Sequence, residues 1–228
     1  MKKLLILSCL ILMGQTVNAR SSNFSINFNI QKKSNIVSAY IENSNVFVSY
    51  ADKSIKQLTF NSSDSSPIIL RNENAVLFVR NAGGDANNPK VKKIMKVNCG
   101  SLIETTITEK KPYQDGLAFT YYILGIQNLT LSLDEQQVYF TTECYATGNE
   151  LVKVDLATGK WSKIFPADKF ELIKRGSYKG LFLIGRNEIK GAGGRFTYYY
   201  LVNEKNEALK EFDSESSYNL FKNNFINN

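Results

Sequence analysis

The chain has 228 residues, with 28 Lys and Arg against 21 Asp and Glu and no histidine, so its formal net charge is +7. The absence of histidine excludes Ser-His-Asp and Cys-His catalytic groups, zinc held by histidine, and histidine general bases. The basic residues are scattered along the chain. Such scatter is typical of an ordinary solvated surface, with a weak attraction to anionic envelope polymers or acidic proteins.

Residues 1–19 have the three regions of a secretory signal peptide. Two lysines precede an apolar run over residues 4–13, and a small-residue site follows at residues 17–19. The run is too short to span a bilayer comfortably. We therefore expect cleavage between Ala19 and Arg20 and a mature chain in the bacterial periplasm, without a transmembrane segment and without a nucleic acid partner. An uncleaved anchor or a lipoprotein is the alternative.

Short runs that alternate apolar and polar residues dominate the chain after residue 23. This period of two is the pattern of half-buried strands, and Asn, Asp, Gly and Ser separate the runs. We expect one all-β domain over residues 20–228, with a short C-terminal helix capped by Asp213 or Ser214. The predicted strands are 24–30, 36–41, 45–50, 54–60, 75–80, 91–97, 101–107, 117–124, 137–142, 150–156, 160–165, 180–185, 195–202 and 208–212.

The order of strands and turns repeats along the chain. Residues 131–165 run through a strand, an Asp-containing turn, an aromatic inner strand, a loop, a third strand, a Thr-Gly turn and an outer strand. The same order recurs over 66–107 and 170–212, and in shortened form over 37–60. Such units bury both faces only by packing on one another, which predicts a small β-propeller-like array of about four antiparallel four-stranded units. An open arc or a β-sandwich is the alternative.

The segment LSLDEQQVYFTTECYATGNELVKVDLATGKWSKIF (131–165) resembles the TolB-like β-propeller repeats of bacterial periplasmic proteins. The match is best in the stretches VYFTT and VDLATGK. It holds at the level of pattern over 36–212. The resemblance implies a propeller in the periplasm. The first unit is too short for a full repeat and four units are few for a closed ring, so residues 24–30 or the C-terminal segment are candidates to complete the first unit.

Candidate binding residues cluster at the start of one predicted strand. Arg195 is followed by three consecutive tyrosines, Tyr198, Tyr199 and Tyr200. Because consecutive strand residues point to opposite faces, at least one tyrosine is expected to face solvent or a groove, where it would anchor a partner protein or a sugar. Core packing is the alternative for these aromatic residues. The carboxylate pair Asp134-Glu135 is predicted to form a turn, and no metal or cofactor is expected.

Two cysteines, Cys99 and Cys144, remain in the predicted mature chain. An even count in an oxidising compartment favours one disulfide. The repeat order instead places the two residues on opposite rims, and a bond needs Cα atoms within about 7 Å of each other. We expect the bond, because an exposed free thiol is a hazard in the periplasm.

No motif in the sequence specifies a reaction. We therefore expect a non-catalytic binding or interaction protein whose partner is another protein or an envelope polymer. An immunity-type inhibitor of a toxin delivered to the periplasm is one concrete form. The competing hypothesis is a carboxylate-based glycan hydrolase or lyase that acts in the cell envelope.

Overall fold

The structure is a computed structural model that describes residues 35–83, 92–108, 113–114, 120–121, 125–144, 148–189 and 194–225. These residues belong to the unit Lys33–Asn228. The predicted leader, the cleavage site and the strand predicted at 24–30 lie outside the described residues, as does most of 117–124. None of the helices described is long and apolar enough to cross a membrane.

Four antiparallel sheets follow one another along the chain, and within each sheet the strands are neighbours in chain order. Sheet I contains β1 (Ile36–Glu42), β2 (Asn45–Tyr50) and β3 (Ile55–Gln57). Sheet II contains β4 (Asp64–Leu70), β5 (Ala75–Asn81), β6 (Lys92–Asn98) and β7 (Glu104–Thr106). Sheet III contains β10 (Gln127–Leu131), β11 (Gln137–Cys144), β12 (Gly148–Asp155) and β13 (Trp161–Pro166). Sheet IV contains β14 (Lys169–Leu172), β15 (Phe182–Ile189), β16 (Arg195–Val202) and β17 (Ala208–Phe212). A two-stranded sheet of β8 (Tyr113–Gln114) and β9 (Thr120–Tyr121) lies between sheets II and III in the sequence.

This order confirms the all-β repeat that the sequence predicts. The inner strands β2, β5, β11 and β15 each lie within their own sheet, and none pairs with another inner strand. Sheet I differs from the other three because it has three strands. After β3 the chain passes directly to β4 of sheet II, so the shortened first repeat is also short in the structure.

The turn at DLATGK shows why the repeat folds locally. Asp155 Oδ1 accepts hydrogen bonds from the Ala157 N–H at 3.1 Å and the Thr158 N–H at 2.8 Å. Gly159 then adopts a φ of 69° and donates its N–H to the Asp155 carbonyl. A Cβ at Gly159 would also collide with the backbone oxygen of Ile107, so glycine is required both for the left-handed conformation and for the close approach.

Three hydrophobic clusters join the sheets in series, because alternate residues of an inner strand pack against the preceding and the following sheet. In β5, Val76 and Phe78 pack with sheet I, whereas Leu77 and Val79 pack with sheet III. The third cluster joins sheets III and IV, with Tyr139, Leu151 and Ile164 on one side and Phe182, Ile184 and Val202 on the other. A series of this kind is β-propeller-like, and it excludes the two-sheet sandwich as the arrangement of these sheets.

A helix covers the far face of sheet IV. Helix α1 (Glu215–Phe225) begins after Ser214, whose hydroxyl accepts a hydrogen bond from the Ser217 N–H at 3.2 Å, so Ser214 is the cap. Tyr218 stacks on Tyr199 of β16 with ring centroids 4.5 Å apart, and Phe221 packs on Phe212 of β17. The helix occupies the face on which a further sheet would pack. In the described part of the chain no hydrophobic cluster joins sheet IV to sheet I.

A buried charged network lies at the contact of sheets I and II. The Arg80 guanidinium bonds to both oxygens of Asp64, at 2.7 and 3.0 Å, and also to Glu104. The Arg80 Cζ lies 5.1 Å from the centre of the Phe78 ring, and Phe78 belongs to the hydrophobic cluster that joins sheets I and II. The side chain of Asp64 is fully buried. Hydrogen bonds from Arg80 to this carboxylate raise the pKa of Arg80 well above its usual range.

Candidate functional site

The turns of the four sheets form two rims. In each antiparallel sheet, the turn between the first and second strands and the turn between the third and fourth strands lie at the same end of the strands. We call this end the tight-turn rim; in sheets II to IV it consists of residues 71–74, 99–103, 132–136, 156–160, 173–181 and 203–207. The rims of sheets II and III are adjacent, because the Asn72 N–H donates to Glu135 Oε2 at 3.0 Å.

A cleft of about 220 Å³ opens on this rim where sheets III and IV meet. It forms because the turn 132–136 of sheet III faces two parts of sheet IV. One part consists of Leu172 and Gly180, and the other is the turn 203–207. The cleft is open to solvent, and its walls combine charged, polar and apolar groups. The lining residues are Ser132, Leu133, Asp134, Gln137, Tyr139, Leu172, Gly180 and Glu204.

Glu204 is held in the cleft by two groups of sheet III. The Tyr139 hydroxyl donates to Glu204 Oε1, and Lys153 Nζ lies 3.4 Å from Glu204 Oε2. Burial, the bond to Glu204 and the negative charge of that carboxylate all raise the pKa of Tyr139, so the phenol stays protonated and donates. Because the Glu204 side chain is still 39% exposed, its carboxylate has a defined position and remains accessible from the cleft.

Asp134 supplies a second carboxylate. Its Oδ1 accepts hydrogen bonds from the Ser132 hydroxyl at 2.6 Å and from the Gln136 N–H at 3.1 Å. These bonds lower the pKa of Asp134, with the Ser132 hydroxyl as the largest cause, so the group is ionised at neutral pH. Next to it, Leu133 is 44% exposed. The cleft therefore offers two fixed anionic groups beside an exposed apolar side chain.

A second cleft of about 190 Å³ continues along the rim of sheet III. Gln137 lines both clefts, and Lys153, which contacts Glu204, lines the second one. The remaining lining residues are Asp155, Thr158, Lys160 and Ser162. Lys153 and Lys160 line the second cleft and not the first. The rim therefore presents a cleft with acidic charged groups next to a cleft that has both acidic and basic ones.

The residues predicted to bind a partner do not form one surface. Arg195 and Tyr199 lie on one face of β16, and Tyr198 and Tyr200 lie on the other. Tyr199 is 4% exposed and is covered by α1, and Tyr200 packs on Phe165 with centroids 5.5 Å apart. Arg195 is exposed at the end of β16 that lies away from the tight-turn rim. The binding role of this set stays a prediction, and for Tyr199 and Tyr200 the structure provides the packing alternative.

Cys99 is buried and its thiol is free. Burial raises the pKa of this thiol to about 11. Cys99 lies at the tight-turn rim, because its N–H donates to the Asn74 carbonyl. Strand β11 starts at that rim with Gln137 and ends with Cys144, so Cys144 lies toward the other rim. Seven residue steps of strand span about 23 Å. The side chain of Cys144 lies outside the described residues, so no contact tests the disulfide expected from the sequence, and the strand order favours two separate thiols.

Sequence reasoning identified Asp134 only as part of a turn, and Asp134 does form that turn. It did not identify the cleft, because Glu204 and Tyr139 are far apart in the sequence and meet only when sheets III and IV pack. In the described ranges, no group of three or more Cys, Asp or Glu side chains is arranged to hold a metal ion.

No protein-family model matches the chain, and no curated protein sequence matches it. Its fold is similar to the tricorn protease structure, with a TM-score of 0.53 and 10% identity over 75% of this chain and 15% of that one. It is also similar to TolB from Acinetobacter baumannii, with a TM-score of 0.44 and 15% identity over 69% of this chain and 35% of that one. A third similar structure is the β-propeller domain of the Trilobed protease from Pyrococcus furiosus, with a TM-score of 0.41 and 16% identity over 66% of this chain and 42% of that one. The chain spans less than half the length of each of these proteins, and at these identities the likeness concerns the fold alone.

Proposed function

We propose that this chain is an exported, non-catalytic binding protein of the periplasm, and that its partner is another protein bound at the tight-turn rim. One observation carries this proposal: the cleft between sheets III and IV places the fixed carboxylates of Asp134 and Glu204 beside the exposed Leu133. Protein interfaces combine a small apolar centre with oriented polar groups. A rim whose turns are held by their own hydrogen bonds loses little conformational entropy on binding.

A protein partner fits this cleft better than an envelope polysaccharide. Aromatic rings bind through their flat faces, and those faces must be exposed to receive a sugar. The aromatic side chain that lines the cleft, Tyr139, is 2% exposed and packs against Phe182. The cleft therefore supplies charge and aliphatic surface, which suit the side chains of a protein.

The most specific form of the proposal is an immunity-type inhibitor that neutralises a toxin delivered to the periplasm. The predicted leader supports this form, because it would place the inhibitor in the compartment where such a toxin acts. The test is to direct the secreted products of neighbouring genes to the periplasm of a host, with and without this chain. We expect one of them to stop growth, and the chain to restore growth only when its leader is intact.

Binding of the purified pair by calorimetry checks that rescue is direct. The proposal fails if none of the neighbouring products is toxic in the periplasm, or if a rescued toxin does not bind the purified chain.

A carboxylate-based glycan hydrolase or lyase is the second candidate, because two carboxylates line one cleft. Such an enzyme needs one carboxyl with a raised pKa as the acid and an ionised one as base or nucleophile. In the cleft, the bond from Ser132 lowers the pKa of Asp134. Burial does raise the pKa of Glu150, but this residue pairs with Thr142 near the other end of the strands. Turnover of an envelope glycan that is lost in both Asp134→Asn and Glu204→Gln would establish the enzyme and reject the binding protein.

A further inference from the structure

We propose that the cleft between sheets III and IV receives one arginine side chain of the partner protein. This inference deepens the proposed function and rests on it. The size of the cleft is the first reason. Sites for small molecules usually measure about 300–1,000 Å³, whereas this cleft measures about 220 Å³ and is open on one side. A single long side chain fits such a volume better than a sugar chain or a cofactor does.

Charge is the second reason. The two charged side chains that line the cleft, Asp134 and Glu204, are both acidic, although the whole chain has a net charge of +7. Hydrogen bonds keep the pKa of Asp134 below its usual range, so its negative charge persists at neutral pH. Lys153, whose Nζ lies 3.4 Å from Glu204 Oε2, lines the neighbouring cleft and not this one. The ligand that complements this arrangement is a cation.

The positions of the hydrogen bonds indicate arginine rather than lysine. The bonds that Asp134 accepts within the described chain go to Oδ1, which leaves Oδ2 as an acceptor. The Glu204 carboxylate is partly exposed although Tyr139 and Lys153 hold it. A planar guanidinium has five N–H donors and can bond to two carboxylates at once, whereas an ammonium acts as a point charge. The methylene groups of the arginine would lie on Leu133 and Leu172 at the apolar wall.

The test uses three acetylated, amidated pentapeptides of the form Ala-Leu-X-Leu-Ala, in which X is arginine, lysine or citrulline. Citrulline has the shape of arginine without its charge. Each peptide is titrated into the ¹⁵N-labelled mature chain, and the amide signals of Leu133, Gln137 and Gly180 are followed. We expect saturable shifts at these amides with the arginine peptide, with an affinity about tenfold or more above that for citrulline.

Two variants complete the test. Glu204→Gln keeps an acceptor for Tyr139 but removes the charge, so affinity for the arginine peptide should fall about tenfold. Glu207→Gln is the matched control, because Glu207 lies in the same turn, bonds to Asn203 and does not line the cleft. The affinity of this variant for the arginine peptide should equal that of the parent chain. Equal shifts with arginine and citrulline, equal affinity for lysine, or equal loss in the two variants would each overturn the proposal.

This experiment is independent of the growth test. If the chain rescues growth and Glu204→Gln rescues equally well, while the peptides do not bind, the arginine site is wrong and the proposed function stands. If the arginine peptide binds as expected but no neighbouring toxin is neutralised, the site stands and the immunity-type function is wrong.

Discussion

The two ends of the series of sheets are built differently. At the sheet IV end, Tyr218 and Phe221 of α1 cover the outer face of the sheet. At the sheet I end, the outer face carries the stacked pair Tyr40 and Phe47, with ring centroids 5.8 Å apart, and Ile55, which is 64% exposed. In the part of the chain that the structure describes, none of the four hydrophobic clusters includes these outer-face side chains.

The difference shows how a series of repeats can be terminated. Each sheet has two faces, and sheets II and III bury both against neighbouring sheets, whereas among the described residues sheets I and IV each pack against one neighbouring sheet. At the sheet IV end an amphipathic helix takes the place of a further sheet, with Tyr218 and Phe221 as the packing residues. At the sheet I end the described residues are held from the inner side by hydrophobic contacts with sheet II, and the Asp64 N–H donates to the Ser44 carbonyl in the turn between β1 and β2.

The largest effect is expected where sheet I is held. Arg80→Met leaves the buried carboxylate of Asp64 without its partner, and removal of one member of a buried ion pair costs about 3–5 kcal/mol of unfolding free energy. Urea denaturation of the variant and the parent chain measures the loss. The matched control is Lys96→Met, which removes the more exposed pair with Glu73 and should cost less than about 1 kcal/mol.

A second variant checks the cause of that loss. Arg80→Met combined with Asp64→Leu also removes the fully buried charge and should be more stable than Arg80→Met alone, because the carboxylate that remains, Glu104, is 26% exposed and therefore partly solvated. If the double variant is less stable than the single one, packing rather than the buried charge explains the contribution of Arg80.

The next effect compares the two ends directly. Phe221→Ala should cost about 3 kcal/mol of unfolding free energy, because Phe221 is buried between α1 and sheet IV. Phe47→Ala removes the same side chain from the outer face of sheet I and should cost about 1 kcal/mol. Leu220→Ala is the control on the helix itself; Leu220 is 63% exposed, so the change should stay within about 0.5 kcal/mol. Equal losses for the two phenylalanines would show that both ends are covered to the same extent.

A smaller effect is expected between the ends, at the contact of sheets III and IV. Tyr139→Phe keeps the ring on Phe182 but removes the hydroxyl that donates to Glu204. A hydrogen bond to a charged group contributes about 1.5–3 kcal/mol when buried, and the partial exposure of Glu204 reduces the expected loss to about 1 kcal/mol. Denaturation measured on Tyr139→Phe, Glu204→Ala and the double variant gives the coupling energy of the pair, because each single change removes the hydrogen bond. A coupling near zero would contradict the contact.

The smallest effect concerns the reactivity of the two thiols, which is measured on the parent chain without any change in stability. From the strand order we expect both Cys99 and Cys144 to react with a thiol reagent in the denatured, unreduced protein. In the native protein Cys99 should react slowly at neutral pH, because it is buried and only the thiolate attacks; its rate should rise as the pH approaches its pKa of about 11. Mass spectrometry counts the labelled cysteines. No labelling before reduction would establish the disulfide and contradict the strand order at the two rims.

The local elements follow from the sequence because their causes are local. Alternation of apolar and polar residues is enough to predict β11 and β15, and the Asp-Thr-Gly turn at 155–159 is set by hydrogen bonds within five residues. The repeated order of these elements predicts antiparallel sheets in series. The aromatic spacing of 218, 221 and 225 likewise predicts a helix with one packing face.

The tertiary structure decided what those elements contact. Tyr198, Tyr199 and Tyr200 are equivalent in the sequence, but α1 covers Tyr199 and sheet III covers Tyr200, and strand alternation cannot specify which neighbour each face receives. The cleft has the same origin, since Glu204 meets Tyr139 only because sheets III and IV pack through hydrophobic contacts of Leu151 and Phe182, which are distant in the chain. The sequence by itself therefore determined strands, turns and their repetition, because these depend on neighbouring residues. The packing of the sheets on one another and the site on the tight-turn rim depend on contacts between sheets, which only the folded chain brings together.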